Sequence, residues 1–187
     1  MMQSVFIIHG SYGHPGENWF PWLKSELEEL GFRVFGPKFP TPEGQKLNIW
    51  LNILKDYDRC LNENSVMVGH SMGCSLILRK LELLNKPIRA VFLVGGFTKD
   101  LWNGKYSDII DTFFEKSFNW KKIKRNAKYF EIYQSNNDSL VPVSMGEEIA
   151  KNLNGELIIV KNAGHFNEDA GYTKFDLLLE RIKKVLS

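Results

Sequence analysis

Two hydrophobic patterns alternate along this 187-residue chain. Short apolar runs, rich in Val, Ile and Phe, are typical of buried strands, whereas apolar residues that recur every three or four positions are typical of amphipathic helices. Strands are predicted at residues 4–8, 32–35, 65–68, 90–94, 129–133 and 157–160. Helices are predicted at residues 19–30, 46–61, 74–84 and 175–186.

The alternation of strands and helices predicts an α/β fold. Strands joined through helices form a parallel sheet with right-handed crossovers and with helices on both faces. We therefore expect about six mostly parallel strands. The chain contains no repeat, low-complexity tract or linker, and its length suits one hydrophobic core, so residues 1–187 are predicted to form a single domain.

Composition narrows the possible partners and location. The hydrophobic fraction of 43% fits a globular protein, and the net charge of +2 gives no reason to expect a nucleic-acid partner. No apolar stretch approaches the length that a membrane span requires, and the apolar run at residues 5–8 is too short for a signal sequence. Cys60 and Cys74 lack paired spacing, which favours reduced thiols and a cytoplasmic location.

The pentapeptide Gly69-His70-Ser71-Met72-Gly73 lies between a predicted strand and a predicted helix. Strand, G-x-S-x-G and helix is the arrangement of a nucleophile elbow, in which a sharp, strained turn exposes the serine hydroxyl. Ser71 is therefore the candidate nucleophile. The alternative is a glycine-rich turn, because so short a pattern also arises by chance.

A serine needs a base to remove its proton and an acid to orient that base. Asp138 and His165 each follow a predicted strand, at the edge where open α/β sheets bind ligands, and the order Ser, Asp, His is that of α/β-hydrolases. Taken singly, Asp138 could be a turn residue and His165 merely exposed. Asp100 and Asp111 are weaker candidates for the acid.

Two backbone N–H groups should stabilise the oxyanion that forms during acyl transfer. We expect one from Met72, after the nucleophile, and the other from Ser11, in the loop after the first strand. The glycines of that loop could instead cradle a phosphate, but their spacing matches neither known phosphate motif. His9 and His14 lack a third metal ligand, so we expect no metal and no cofactor.

Residues 97–125 form the least regular and most aromatic part of the chain. They could form a partial cap or pocket wall, or could simply pack the segment onto the sheet. The first interpretation makes a substrate pocket of Tyr12, Phe97, Phe113 and Phe114. A basic cluster in the same segment is attributed to a solvated helix face, and consists of Lys116, Lys121, Lys122, Lys124 and Arg125.

The chain resembles the small serine-hydrolase family that includes the retinoblastoma-binding serine hydrolase and short bacterial relatives. The resemblance runs nearly end to end, through Trp50-Leu51, Gly69-His70-Ser71, Asp138 with Val141-Pro142, and Gly164-His165-Phe166. It implies a compact α/β-hydrolase without a large lid and a triad of Ser71, Asp138 and His165. The first loop departs from the family, since it is less rich in glycine, and the Leu-x-Cys-x-Glu pattern that binds pocket proteins is absent.

Two functions from different classes are compatible with these residues. The first is a serine hydrolase that cleaves a small ester, thioester or amide through an acyl-enzyme on Ser71. The second is a protein- or ligand-binding module on a hydrolase scaffold, with incidental turnover. The complete triad favours the first. The expected partner is a small-molecule substrate, and no protein partner is predicted.

Overall fold

Six parallel strands form the central sheet of the structure, a computed structural model that describes residues 3–187. Their order across the sheet is β2-β1-β3-β4-β5-β6. The strands are β1 (Ser4–Ile8), β2 (Arg33–Phe35), β3 (Val66–His70), β4 (Ala90–Val94), β5 (Phe130–Ser135) and β6 (Glu156–Val160). After β1 the chain adds β2 on one side of it and then β3 on the other, so the carboxyl ends of β1 and β3 open onto the topological switch point.

Helices cover both faces of this sheet, as the alternation predicted. They are α1 (Phe20–Glu29), α2 (Leu47–Lys55), α3 (Met72–Leu81), α4 (Ser107–Phe114), α5 (Trp120–Arg125), α6 (Val143–Leu153) and α7 (Asp176–Leu186). Successive strand residues point to opposite faces. In β1, Val5 and Ile7 join the core beneath α1 and α7, while Phe6 and Ile8 join the core beneath α2 to α6.

Helices α2, α4 and α6 differ from the prediction, and α4 lies in the segment that was predicted to be least regular. The helix predicted at residues 46–61 ends at Lys55, and a 3₁₀ turn at Asp58–Cys60 replaces its last part. Asp, Tyr and Cys are poor helix formers, and Tyr57 instead packs its ring against Phe6 from this tighter turn. Helix α6 was not predicted, although Met145, Ile149 and Leu153 recur every fourth residue and are all buried.

The segment between β4 and β5 is fastened to α3. Arg79 of α3 is buried, and its Nε donates a hydrogen bond of 2.9 Å to the carbonyl oxygen of Phe113 at the end of α4. The same guanidinium lies 3.8 Å from the centroid of the Phe118 ring. Because α3 begins at the predicted nucleophile, this contact ties the segment to the element that carries the elbow.

None of the helices described between residues 3 and 187 combines the length and the apolar character that crossing a membrane requires. Cys60 and Cys74 are both free thiols, and Cys74 is fully buried behind the elbow.

Candidate active site

Ser71 lies in the tight turn between β3 and α3. Its backbone has φ 54° and ψ −122°, a conformation that L-residues rarely adopt. A Cβ on Gly73 would collide with the carbonyl oxygen of Ile8, and a Cβ on Gly69 would lie 2.9 Å from the amide nitrogen of Cys74. The two glycines therefore permit the strained turn that the G-x-S-x-G pattern predicted.

The loop after β1 passes directly against Ser71. A Cβ built on Gly10 would lie 2.8 Å from the Cβ of Ser71, so only glycine allows this approach. Ser11 follows in the wall of the same cavity as Ser71. Met72 begins α3, where backbone N–H groups lack intrahelical acceptors. The assignment of the Ser11 and Met72 N–H groups as an oxyanion hole stays a prediction.

His165 and Asp138 form a hydrogen-bonded pair. Nδ1 of His165 lies 2.8 Å from Oδ2 of Asp138, whose side chain is fully buried. Oδ1 of Asp138 accepts backbone N–H bonds from Leu140 at 2.8 Å and Val141 at 3.0 Å, so both carboxylate oxygens are occupied. A carboxylate only accepts, so Nδ1 carries the proton and Nε2 is left as a proton acceptor.

The structure brings the three predicted residues to one edge of the sheet. Ser71 and His165 line the same cavity, and the Asp138 pair stands behind His165. Gly95, after β4, has φ 59°, and a Cβ there would lie 3.3 Å from Cε1 of His165. The imidazole therefore packs against the backbone of Gly95 on one side, and the ring of His70 lies 4.9 Å from it between centroids.

The two weaker acid candidates lie elsewhere. Oδ1 of Asp100 accepts the backbone N–H of Trp102 at 2.8 Å, and its other oxygen accepts the N–H of Gly104, so this carboxylate organises its own turn. Asp111 is exposed on α4. Of the candidate carboxylates, Asp138 is the one that contacts His165.

Side chains from distant elements hold the loop that carries His165. His70 contacts the carbonyl oxygen of His165 through Nε2 at 2.7 Å, and Nε1 of Trp19 donates to the carbonyl oxygen of Phe166 at 3.0 Å. Oδ1 of Asn137 accepts the N–H of Gly164 at 2.8 Å. Sequence analysis predicted no role at this site for either His70 or Trp19.

Burial, together with the neighbouring His165, lowers the pKa of His70 from its ordinary value of 6.5 to about 3. His70 is thus neutral at physiological pH. Because its Nε2 faces a carbonyl oxygen, Nε2 carries the proton and donates it. His9 is also buried with a lowered pKa, and its ring joins the carbonyl oxygen of Gly10 to the N–H of Phe39.

The lowered pKa of His70 predicts a loss of stability in acid. Between pH 6.5 and about 3 the unfolded chain binds a proton at His70 that the folded protein does not, so this contribution is present above pH 6.5 and lost as pH falls. In urea denaturation from pH 7 to pH 4, the unfolding free energy of the wild type should fall more steeply than that of His70→Gln, by up to about 1.4 kcal/mol per pH unit. Parallel curves for the two proteins would contradict the assignment.

A cavity of about 460 Å³ opens beside Ser71. One wall is apolar, and consists of Phe97, Trp102, Tyr106, Ile109, Ile110, Leu140 and Val141. A polar wall consists of Glu17, Asn18, Asn167, Glu168 and Asp169. Burial, together with the nearby charge of Glu168, raises the pKa of Glu17, while His14 and a backbone hydrogen bond oppose the rise.

The predicted pocket residues divide into two groups. Tyr12 and Phe97 line the cavity, as predicted. Phe113 does not: its side chain is fully buried and meets the ring of Trp50 edge-on, with 5.3 Å between centroids. Phe114 packs against Phe97 and Phe118 instead of lining the cavity. The prediction was therefore wrong for Phe113 and Phe114, since the C-terminal end of α4 turns toward the core.

The two groups should respond differently to truncation. Phe113→Ala should lower the free energy of unfolding by about 3–5 kcal/mol, because it removes a buried ring, and should leave the preference for acyl-chain length unchanged. Trp102→Ala should cost far less stability, because Trp102 is half-exposed in the cavity wall, and should alter that preference. Urea denaturation and the ratio of kcat/KM for short and longer esters measure both effects. A changed ratio in Phe113→Ala with normal stability would restore Phe113 to the pocket.

Metal ligands are not gathered at this site. Within residues 3–187, no group of three or more His, Cys, Asp or Glu side chains could hold a metal ion. His14 is exposed and lies 3.8 Å from the carboxylate of Glu17.

Comparison with known proteins extends over nearly the whole chain. The family model described as Serine hydrolase matches residues 5–184. YdeN of Bacillus subtilis (strain 168), whose name describes a hydrolase, is 35% identical over 189 residues, which cover 100% of this chain and 98% of that protein. Serine hydrolase RBBP9 of Rattus norvegicus is 28% identical over 170 residues, covering 90% of this chain and 87% of that protein.

Solved structures share the fold. The crystal structure of the ydeN gene product from B. subtilis has a TM-score of 0.88 at 33% identity and covers 98% of both chains. A structure from Xanthomonas campestris, described as a hydrolase of the alpha/beta superfamily, has a TM-score of 0.68 at 16% identity, with 97% of this chain and 98% of that one covered. The α/β-hydrolase fold that the motifs predicted is confirmed.

Proposed function

Because this chain belongs to the serine hydrolase family, as its motifs predicted, we propose that it cleaves a small ester, thioester or amide through an acyl-enzyme formed on Ser71. The observation that carries the proposal is the pair of His165 and the buried Asp138, at 2.8 Å, beside the cavity in which the strained Ser71 lies. A binding module does not need a serine, a histidine and a buried carboxylate together.

The first half of the reaction forms the acyl-enzyme. Nε2 of His165 takes the proton of the Ser71 hydroxyl as Oγ attacks the substrate carbonyl carbon. The N–H groups of Met72 and Ser11 stabilise the oxyanion, together with the positive end of the α3 dipole. Asp138 stabilises the imidazolium. His165 then returns its proton to the oxygen, sulfur or nitrogen of the leaving group as the bond to the acyl carbon breaks.

The second half releases the acid. A water molecule gives a proton to Nε2 of His165 and attacks the acyl carbon, which forms a second tetrahedral intermediate on the same oxyanion donors. The bond between the acyl carbon and Oγ then breaks, and Ser71 recovers its proton from His165. No cofactor takes part in either half.

The two walls of the cavity support a substrate with an apolar acyl group. Aromatic and aliphatic side chains bury such a group favourably, and about 460 Å³ holds a short chain or a single ring. The polar wall carries the carboxylates of Glu17, Glu168 and Asp169, and no lysine or arginine is among the residues that line the cavity. A leaving group with several phosphates, as in a coenzyme A thioester, is therefore disfavoured.

A cytoplasmic location belongs to the same proposal. Cys60 and Cys74 are free thiols, which is the usual state of cysteine in a reducing compartment. The expected partner is the small-molecule substrate.

Partitioning between two acceptors tests the acyl-enzyme. Esters that share one acyl group but carry different leaving groups should give the same ratio of methyl ester to free acid in water–methanol mixtures, because all of them pass through one intermediate on Ser71. Product analysis by chromatography measures the ratio. A ratio that changed with the leaving group would show direct attack by water and would contradict the proposal.

A further inference from the structure

A buried glutamine joins the loop after β1 to the apolar wall of the cavity. Because this loop contains Ser11, it is called the oxyanion loop below. Gln45 is only 1% exposed, and each polar atom of its amide is hydrogen-bonded. Nε2 donates to Oγ of Ser11 at 2.7 Å and to the carbonyl oxygen of Ile109 at 3.0 Å. Oε1 accepts the hydroxyl proton of Thr41 at 2.5 Å. The carbonyl oxygen of Ile109 only accepts, so the amide has one favourable orientation.

Thr41 extends the connection to the backbone of the oxyanion loop. Its Oγ1 accepts the N–H of Tyr12 at 2.7 Å. Tyr12 has φ 58°, in the left-handed region that a residue with a side chain seldom occupies. Gln45 therefore holds Ser11, which carries the proposed donor N–H, directly and holds the next residue, Tyr12, through Thr41.

Both ends of this connection lie at the cavity. Gly10, next to Ser11, packs against Ser71, and Ile109 lies in the apolar wall of the cavity. Burying an amide is favourable only when its hydrogen bonds are all made, so the arrangement stabilises one relative position of loop and helix. Sequence reasoning did not identify Gln45, because a glutamine in a loop has no motif.

We infer that Gln45 is a positioning residue, which sets the Ser11 N–H relative to Ser71 and fixes helix α4 against the same loop. The inference rests on the proposed function, since it takes Ser11 as an oxyanion donor. Donors placed for the transition state act on kcat more than on KM. Gln45 therefore governs the rate of the chemical step without contacting the substrate.

Gln45→Met tests this, because methionine keeps the length of the side chain and loses every hydrogen bond. Loss of a whole oxyanion donor costs about 10²–10³ in kcat, so a displaced donor should cost about 10–10², with KM within about threefold. Lys46→Met is the matched control. Lys46 donates to the carbonyl oxygen of Asp108 in α4 at 2.7 Å without contacting the oxyanion loop, and its kcat should stay within about twofold of the wild type.

Ser11→Ala supplies a second variant, since it removes the acceptor of the Gln45 bond but keeps the backbone N–H. The losses in Gln45→Met and Ser11→Ala should combine to less than their product in the double variant, because both break one connection. Multiplicative losses, an unchanged kcat in Gln45→Met, or an equal loss in Lys46→Met would overturn the inference.

Hydrogen exchange separates this inference from the proposed function, because it requires no turnover. Peptides that contain residues 10–13 should exchange about tenfold faster or more in Gln45→Met and Ser11→Ala than in the wild type, and at the wild-type rate in Lys46→Met. Unchanged exchange in all three variants would contradict the inference that Gln45 holds the oxyanion loop in place. If the wild type hydrolyses no ester while exchange still depends on Gln45, the proposed function fails and the connection stands.

Discussion

Replacing Ser71 by alanine should lower kcat for ester hydrolysis by about 10³–10⁶, with little change in the denaturation midpoint. Oγ is the atom that forms the bond to the acyl carbon, so no other group of the site can replace it. The fold should persist, because the turn is built by the backbone and by the glycines at 69 and 73, and the Cβ that contacts the loop at Gly10 remains. Residual hydrolysis would come from water attacking a substrate still bound against the oxyanion donors.

Ser144→Ala is the matched control for this change. Ser144 is an exposed serine on α6, so its loss should leave kcat within about twofold and stability nearly unchanged. Steady-state kinetics and urea denaturation of the three proteins give the comparison. Comparable rates for Ser71→Ala and Ser144→Ala would remove Ser71 from the mechanism.

Asp138→Asn should lower kcat by about 10⁴, with KM little affected. Asparagine can turn its NH₂ group toward Nδ1 of His165, which would place the imidazole proton on Nε2, where it cannot accept the proton of Ser71. It also removes the buried charge that stabilises the imidazolium.

Asp100→Asn provides the contrast, because Asp100 accepts the N–H of Trp102 in its own turn and asparagine can accept it too. We expect its kcat within about threefold of the wild type. If Asp100→Asn were crippled while Asp138→Asn turned over normally, the acid would have to be reassigned to the loop after β4.

The sequence was sufficient for features that depend on local pattern. Strands of the sheet appear as short apolar runs, and each predicted triad residue follows one of them, at 71, 138 and 165. Since the carboxyl ends of parallel strands share one edge, residues in these positions lie on the same edge of the sheet. This is why Ser71, Asp138 and His165 could be proposed together from the sequence alone.

Features that depend on packing between distant segments were not predictable. Trp19 and Phe166 are 147 positions apart, yet the indole of one holds the backbone of the other. Gln45 and Ile109 are 64 apart. On α4, which was not predicted as a helix, the direction of each aromatic ring depends on what packs against it. Ile109 therefore faces the cavity, whereas Phe113 faces Trp50.

Fluorophosphonate labelling tests the central claim most directly, since the probe phosphonylates a serine only when a base has activated it. Intact-mass and peptide analysis of the wild type should show one added phosphonyl group, on the peptide that contains Ser71. Ser71→Ala should stay unlabelled, and Asp138→Asn should label far more slowly than the wild type. Stoichiometric labelling of Ser71→Ala, or an adduct at another residue of the wild type, would contradict the account.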